Sequence, residues 1–316
     1  MQSIFITGAS GCVGHYVLER LARSTDPTDP SQPAYHLYVL VRDPRKLRWP
    51  IPATAAITIL EGDLLQIDDH ADLLSQMQGV IHLAAAWGDA AMAEAINVRQ
   101  TLRLFQRLDP SVCQKILYFS TASLLNPYNQ PLAIAGRSGT AYIQSKYEML
   151  MRRSEVALVD RMITLYPTLL FGGSALHPYS HITAGLKDVI RWLDLLRFLQ
   201  LSASFHFIHA EDIANMVAYL LEQPIAQSDL VLGNPPLTLN QSIEQVCAFF
   251  KKRIYFRIPL PIDWLTSIAW LLRVELSEWD RYCIQHRHFV YQTVDANSFG
   301  LSSRFQSLHQ ILDAYL

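Results

Sequence analysis

The chain has 316 residues, half of them hydrophobic and 17% charged, with a formal net charge of −2. That length supports one large α/β core with a smaller second lobe, and near-neutral charge without long basic runs excludes a general nucleic-acid binder. The four cysteines, Cys12, Cys113, Cys247 and Cys283, lack CxxC or metal-ligand spacing, so neither a disulfide framework nor a metal site is expected.

Residues 3–7 form a short apolar run that ends at Gly8 and is followed by Ala9-Ser10-Gly11-Cys12-Val13-Gly14, then by the helical pattern Val13, Val17, Leu18, Leu21. This order predicts strand, turn, helix. Such a turn leaves N–H groups unpaired at the positive end of a helix, where a pyrophosphate can be the missing acceptor. Gly8 is expected to permit the tight turn, Gly11 to remove a Cβ that would meet phosphates, and Gly14 to let the helix lie close to the strand. No basic, apolar leader precedes the first strand, which fits a cytoplasmic protein.

A proline-rich loop at 26–33 comes next, then apolar runs at 36–41 and 57–61, which end at Arg42-Asp43-Pro44 and Gly62-Asp63-Leu64. Further runs at 79–83, 115–119 and 161–166 alternate with helical patterns at 73–77, 91–108 and 140–158. The alternation predicts an α/β fold with a doubly wound parallel sheet. Beyond Pro167 the pattern is less regular: a helix at 182–201, a short strand at 205–208, a helix at 211–222, a strand at 230–233, and a mostly helical remainder. The first domain is therefore placed at 1–167 and a substrate lobe at 168–316, with some segments of the lobe free to rejoin the sheet. The apolar stretch 264–272 is too short to span a bilayer, which takes about 20 apolar residues, and is read as lobe core before peripheral membrane contact.

Ligands of open α/β sheets lie beyond the carboxyl ends of the strands. At the second strand end stands Arg42, whose guanidinium suits a 2′-phosphate. The cofactor expected is therefore NADP(H) in preference to NAD(H); the alternative is that Asp43 faces a ribose hydroxyl. Asp63 and Leu64 are placed at the adenine, and Leu83, Ala84 and Ala85 form a run of small residues against which a cofactor can lie. In Tyr142-Ile143-Gln144-Ser145-Lys146 the first and last residues share one helix face. A cation beside a phenol favours phenolate, so Lys146 is expected to lower the Tyr142 pKa and make it an acid/base group. The run Phe119-Ser120-Thr121-Ala122-Ser123 brings hydroxyls to the same sheet edge, and Trp87 is placed in an apolar substrate pocket.

Taken together, Thr7 to Gly14, Asp63-Leu64, 80–85, Asn97-Val98, Ser120-Thr121, Tyr142 with Lys146, Tyr166-Pro167 and Phe207-Ile208-His209 before Asp212 resemble an extended short-chain dehydrogenase/reductase of the NAD-dependent epimerase/dehydratase superfamily. The resemblance implies a Rossmann fold and cofactor contacts at Gly8, Ser10, Gly11, Cys12, Val13, Gly14 and Pro167. It also implies that Tyr142 is the catalytic acid/base, that Lys146 bonds the nicotinamide ribose, and that Thr121 is the catalytic hydroxyl, with Ser123 second. Where related dehydratases carry an Asp-Glu pair, this chain has Ala122 and Ser123. Where related epimerases hold a nucleotide phosphate with arginine, it has Ser204, Phe205 and His206. The tail is similar to the dihydroflavonol reductase and 3β-hydroxysteroid dehydrogenase branch.

The expectation is an enzyme: an NADP(H)-dependent oxidoreductase that interconverts a carbonyl and a secondary alcohol on a mostly apolar small molecule. The alternatives are a nucleotide-sugar epimerase with the same residues and a non-catalytic cofactor-binding scaffold. A homodimer is compatible with the resemblance, although no residue pattern specifies one.

Overall fold

The computed structural model describes residues 1–261 and 275–316. Among the described residues, eight parallel strands form the central sheet: β1 (Gln2–Thr7), β2 (Tyr35–Val41), β3 (Ala56–Glu61), β4 (Gly79–His82), β5 (Lys115–Phe119), β6 (Met162–Pro167), β11 (Asp229–Leu232) and β14 (Thr293–Val294). Their spatial order is β14-β11-β6-β5-β4-β1-β2-β3. Three short pairs lie outside it: β7 (Leu169–Phe171) with β10 (Phe207–His209), β8 (Leu199–Gln200) with β13 (Ile258–Pro259), and β9 (Ser204–Phe205) with β12 (Leu237–Thr238). The helices used below are α1 (Cys12–Ala22), α2 (Ala71–Leu74), α3 (Ala90–Glu94), α4 (Thr101–Gln106), α5 (Ala133–Ser138), α6 (Ala141–Arg152), α7 (His181–Arg191), α8 (Leu193–Leu196), α9 (Ala210–Glu222) and α10 (Leu239–Phe249).

The strands read as nearly continuous apolar runs because both faces of the sheet are covered. Alternation along each strand divides them. Ile4 and Ile6 of β1, Ile81 of β4 and Leu117 and Phe119 of β5 pack with Val17, Leu18 and Leu21 of α1 and with Ile213 and Val217 of α9. Phe5, Val80, Ile116 and Tyr118 point the other way, into a layer that includes Leu102 and Phe105 of α4 and Met149 of α6. The strand order reverses between β1 and β4, and chains leaving these two strands diverge to opposite faces. This opens a crevice at their carboxyl ends.

His82 pins that edge. Its fully buried ring joins Thr7 Oγ1 of β1 at 2.7 Å to Thr101 Oγ1 of α4 at 2.9 Å. Burial lowers its pKa to about 3. The ring is therefore neutral, with one nitrogen to donate and one to accept.

Three helical expectations are corrected. The span 91–108 is not one α-helix: a π-helical segment, Ala95–Gln100, separates α3 from α4. The span 140–158 ends early, because α6 runs only from Ala141 to Arg152, with Thr140 as its N-cap accepting from the Ile143 N–H at 3.3 Å. Val156 and Leu158 are both buried, and residues two apart cannot share a helix face, so the chain leaves the helix axis to bury both. The span 182–201 breaks at Trp192, which lets Leu193 of α8 pack against Ile243 and Cys247 of α10. The apolar stretch 264–272 lies outside the described residues. Among the described residues, no helix is long and apolar enough to cross a membrane.

A Cβ on Gly14 would stand 2.2 Å from the Gly8 carbonyl oxygen and 2.6 Å from Ala9 Cα. Both obstacles are backbone. Gly14→Ala is expected to cost about 1–3 kcal/mol of stability, as overpacking does. The check is urea unfolding, with a lower midpoint at unchanged slope.

Candidate active site

The crevice is a cavity of about 860 Å³, within the range of small-molecule sites. Its floor is the turn between β1 and α1. Gly8 has φ +76°, and a Cβ there would lie 2.5 Å from the Ala84 nitrogen and 2.6 Å from the Leu83 carbonyl carbon. Only glycine lets the turn rest on the segment that follows β4. Gly11 is less crowded: a Cβ there would meet one atom within 4 Å, the Gly8 carbonyl oxygen, at a tight 3.3 Å. It is the N-cap of α1, with no side-chain cap and no acidic residue in the first turn. The result is a cradle of backbone N–H groups open to an anion. Cys12 and Val13 line it, and burial pushes the Cys12 thiol up to about 12, which leaves it inert.

Leu83 and Ala85 continue the wall, and Pro167 closes it at the end of β6. The loop after β4 is clamped by Asn97, which lies in the π-helical segment and is fully buried. Its side chain accepts from Ala86 N at 2.8 Å, donates to Ala86 O at 2.9 Å, and donates to Ser145 Oγ of α6 at 2.9 Å. The next residue, Trp87, is 64% exposed. Its indole stacks on the Tyr142 ring with centroids 3.8 Å apart and planes 9° from parallel.

Tyr142 and Lys146 of α6 both reach the cavity wall. Lys146 is 1% exposed and donates to the Phe119 carbonyl at 2.9 Å and to Tyr118 OH at 3.4 Å. Its ammonium also stands 4.8 Å over the Tyr118 ring. Burial lowers the Lys146 pKa to about 7 and raises that of the Tyr142 phenol well above its ordinary value. This corrects the expectation that the lysine acidifies the tyrosine. Desolvation penalises the charged form of each, and the lysine is bonded to β5 instead.

Thr121 caps the short turn Ala122–Leu124, its Oγ1 accepting from Ser123 N at 3.4 Å and donating to Ser123 Oγ at 3.4 Å. Contacts of that length are weak, so the hydroxyl retains bonding capacity. Ser123 lies on the wall beside it.

The model of the NAD dependent epimerase/dehydratase family matches residues 4–233. The chain belongs to that family. Three solved structures share its fold. Vestitone reductase from alfalfa (Medicago sativa) is 14% identical over 100% of this chain and 97% of its own, with a TM-score of 0.64. A dTDP-glucose 4,6-dehydratase from Bacillus anthracis, in complex with NAD, is 12% identical over 100% and 96%, with a TM-score of 0.63. A UDP-N-acetylglucosamine 4-epimerase from Methanobrevibacter ruminantium, in complex with UDP-N-acetylmuramic acid, is 17% identical over 82% and 85%, with a TM-score of 0.59. No curated protein sequence matches the chain significantly.

As a member of this family the protein is an NAD(P)-dependent enzyme with a Rossmann-like fold, and its glycine turn fits the dinucleotide the family uses. Some residues expected at the site sit off the cavity wall. Ser10 remains in the turn, and Ala84 backs Gly8 while its N–H bonds Thr7 Oγ1 at 3.3 Å. Asp63 caps the following turn through Leu65 N at 2.9 Å. Leu64 is buried with Phe5 and Leu40 in the core. Arg42 is exposed and has no ion-pair partner among the described residues. Asp43 is engaged, accepting from Arg45 N at 3.0 Å and Arg45 Nε at 2.9 Å.

The far wall is aromatic, with Tyr179, Phe205, Trp279, Phe289 and Tyr291. Lys146 is the one lysine or arginine among the described residues that line the cavity. His206 donates from Nδ1 to Asn234 O at 2.7 Å and accepts at Nε2 from Tyr291 N at 3.0 Å. Both nitrogens are used, so it stays neutral. Among the described residues no cluster could hold a metal ion. The sequence offered no role for Tyr118, which faces Lys146 only once α6 packs on the sheet. Nor did it reveal the Asn97 clamp, or that the hydroxyl of Ser120, already expected at this sheet edge, is buried without a hydrogen-bond partner among the described residues.

Replacing Lys146 by Met tests the burial argument. The folded-state pKa lies below the unfolded value, so the charged lysine destabilises the fold below pH 7, and the penalty shrinks as pH rises toward the unfolded pKa. Lys146→Met is expected to raise the melting temperature of the cofactor-free protein most at pH 6 and least near pH 9. Calorimetry across that range reads it, and a gain independent of pH would show that the lysine is not desolvated.

Proposed function

We propose that the protein is an NADP(H)-dependent oxidoreductase that interconverts a carbonyl and a secondary alcohol on a mostly apolar small molecule. The supporting observation is the cavity wall beyond the glycine turn. It is mostly aromatic and aliphatic, with several hydroxyls and the rings of His181 and His206, and Lys146, committed to β5, is its one lysine or arginine among the described residues. A nucleotide-sugar diphosphate would need cations there, which disfavours the epimerase reading. The retained Tyr142 and Lys146 pair disfavours the scaffold.

When bound, the cofactor supplies or accepts hydride at its nicotinamide. The residues that would hold it are Gly8, Gly11, Cys12, Val13 and Gly14 at the pyrophosphate, Arg42 at the 2′-phosphate, and Leu83, Ala85, Pro167 and Lys146 along the remainder. Tyr142, kept protonated by burial, gives its proton to the substrate oxygen in the reducing direction and recovers it in the other. Thr121 holds that oxygen, and Trp87 and the aromatic wall receive the apolar body. In this reading 1–167 is the cofactor domain, 168–316 furnishes the substrate wall, and the protein works in the cytoplasm.

Two measurements test the proposal. Fluorescence titration should show NADPH bound more tightly than NADH, with Arg42→Ala weakening NADPH about tenfold, the loss of one charge-assisted contact, while NADH is unaffected. Equal binding of the two cofactors would remove the arginine argument. Tyr142→Phe should lower NADPH consumption with ketones and aldehydes by roughly 10²–10⁴-fold, the contribution of a general acid, with cofactor affinity retained.

A further inference from the structure

We propose that Trp87 is a positioning residue for the acid/base phenol: laid flat on the Tyr142 ring, its indole fixes the orientation in which the hydroxyl meets the substrate oxygen. The inference rests on the reading of Tyr142 as the proton donor.

The stack is close and nearly parallel, 3.8 Å and 9°, and ring pairs of this kind contribute beyond the area they bury. Nothing polar does the same work. Among the described residues the Tyr142 hydroxyl has no hydrogen-bond partner, and Lys146, one turn along α6, gives its bonds to Phe119 O and Tyr118 OH. Packing holds the phenol: its ring lies against the buried cluster that includes Ala122, Leu124 and Ile143, and the Trp87 indole covers its open face. Trp87 is also 64% exposed, so the core does not require it. A large apolar ring at the rim of the cavity covers the phenol.

The backbone beneath the indole is fixed on both sides. Asn97 holds the N–H and C=O of Ala86, and the same side chain donates to Ser145, three residues past Tyr142 on α6. On the other side Gly88 turns the chain at φ +119°, and Asp89 caps α3 by accepting from Met92 N at 2.9 Å. Trp87 is thus tied to α6 twice, ring on ring and through Ala86, Asn97 and Ser145. π-helical turns such as the one carrying Asn97 are frequent at functional sites. Of the titratable groups nearby, Tyr118 of β5 is close enough to interact electrostatically with the phenol, Lys146 gives its bonds to β5, and His181 stands 5.9 Å from the indole. Proton transfer demands the hydroxyl within hydrogen-bond reach in a productive orientation, and a small misplacement is costly in rate.

The test uses the full chain labelled with 3-fluorotyrosine, the Tyr142 resonance being assigned by its loss in Tyr142→Phe. In the unmodified protein that ¹⁹F line should be narrow and shifted by the indole ring current. Trp87→Ala should move and broaden it without lowering the melting temperature, and Trp87→Phe should restore a narrow line. Kinetics are read with NADPH and a probe set of aryl and alkyl ketones and aldehydes. Trp87→Ala should lower kcat about tenfold at unchanged KM for NADPH, and Trp87→Phe should recover most of it. An unmoved resonance in Trp87→Ala, or a moved one with unchanged kcat, overturns the proposal. Full turnover by Tyr142→Phe, or no turnover of any probe by the unmodified protein, counts instead against the oxidoreductase reading, and the resonance still decides the stack.

Discussion

The site depends on one backbone contact. At Gly8 the first turn presses against Leu83 and Ala84 so closely that no side chain fits between them. That approach brings the N-terminus of α1 to the mouth of the crevice, and it holds only if β1 and β4 end in register. His82 secures this by joining a threonine of β1 to one of α4. A buried ring bonded at both nitrogens tolerates no slippage, because a lost partner would leave a desolvated polar atom. The glycine is required by geometry, and the histidine keeps the geometry constant.

The same burial that builds the site works against the stability of its groups. Lys146 is an ammonium in the interior, compensated by a carbonyl and a phenol hydroxyl. Tyr142 is covered by an indole, and Ser120 keeps a hydroxyl with no partner among the described residues. Each departs from what a fold selected only for stability would contain, and all three gather at the end of β5 and on the helix facing it. Perturbed and unsatisfied groups concentrate where chemistry is done.

Much of this was legible in the sequence. The parallel, doubly wound sheet follows from apolar runs that alternate with helical patterns, the glycine spacing marked the turn at the N-terminus of α1, and the four-residue step from Tyr142 to Lys146 placed both on one face. Three things were not legible, for physical reasons. The direction of the Tyr142 shift depends on how deeply the tertiary structure buries the phenol and on which partner Lys146 takes, and the nearest cation in sequence took a different one. Helix ends at Arg152 and Trp192 were set by which side chains had to reach the core, which overrides a regular local pattern. Asn97 matched the family pattern, but its clamp on Ala86 appears only when a π-helical turn brings it under the loop. Leu64 shows the converse: a residue beside a strand end need not face the ligand.

The sheet is completed from far along the chain. Six of its eight strands come from the first 167 residues, but β11 and β14, which complete one side of it, come from 229–232 and 293–294. During synthesis β6 therefore emerges with an unpaired edge and keeps it until β11 has left the ribosome. An open, apolar edge invites pairing with another nascent chain. Completion of the sheet is for this reason late and non-local, and expression at low temperature or with a chaperone that shields strand edges favours the native pairing over aggregation.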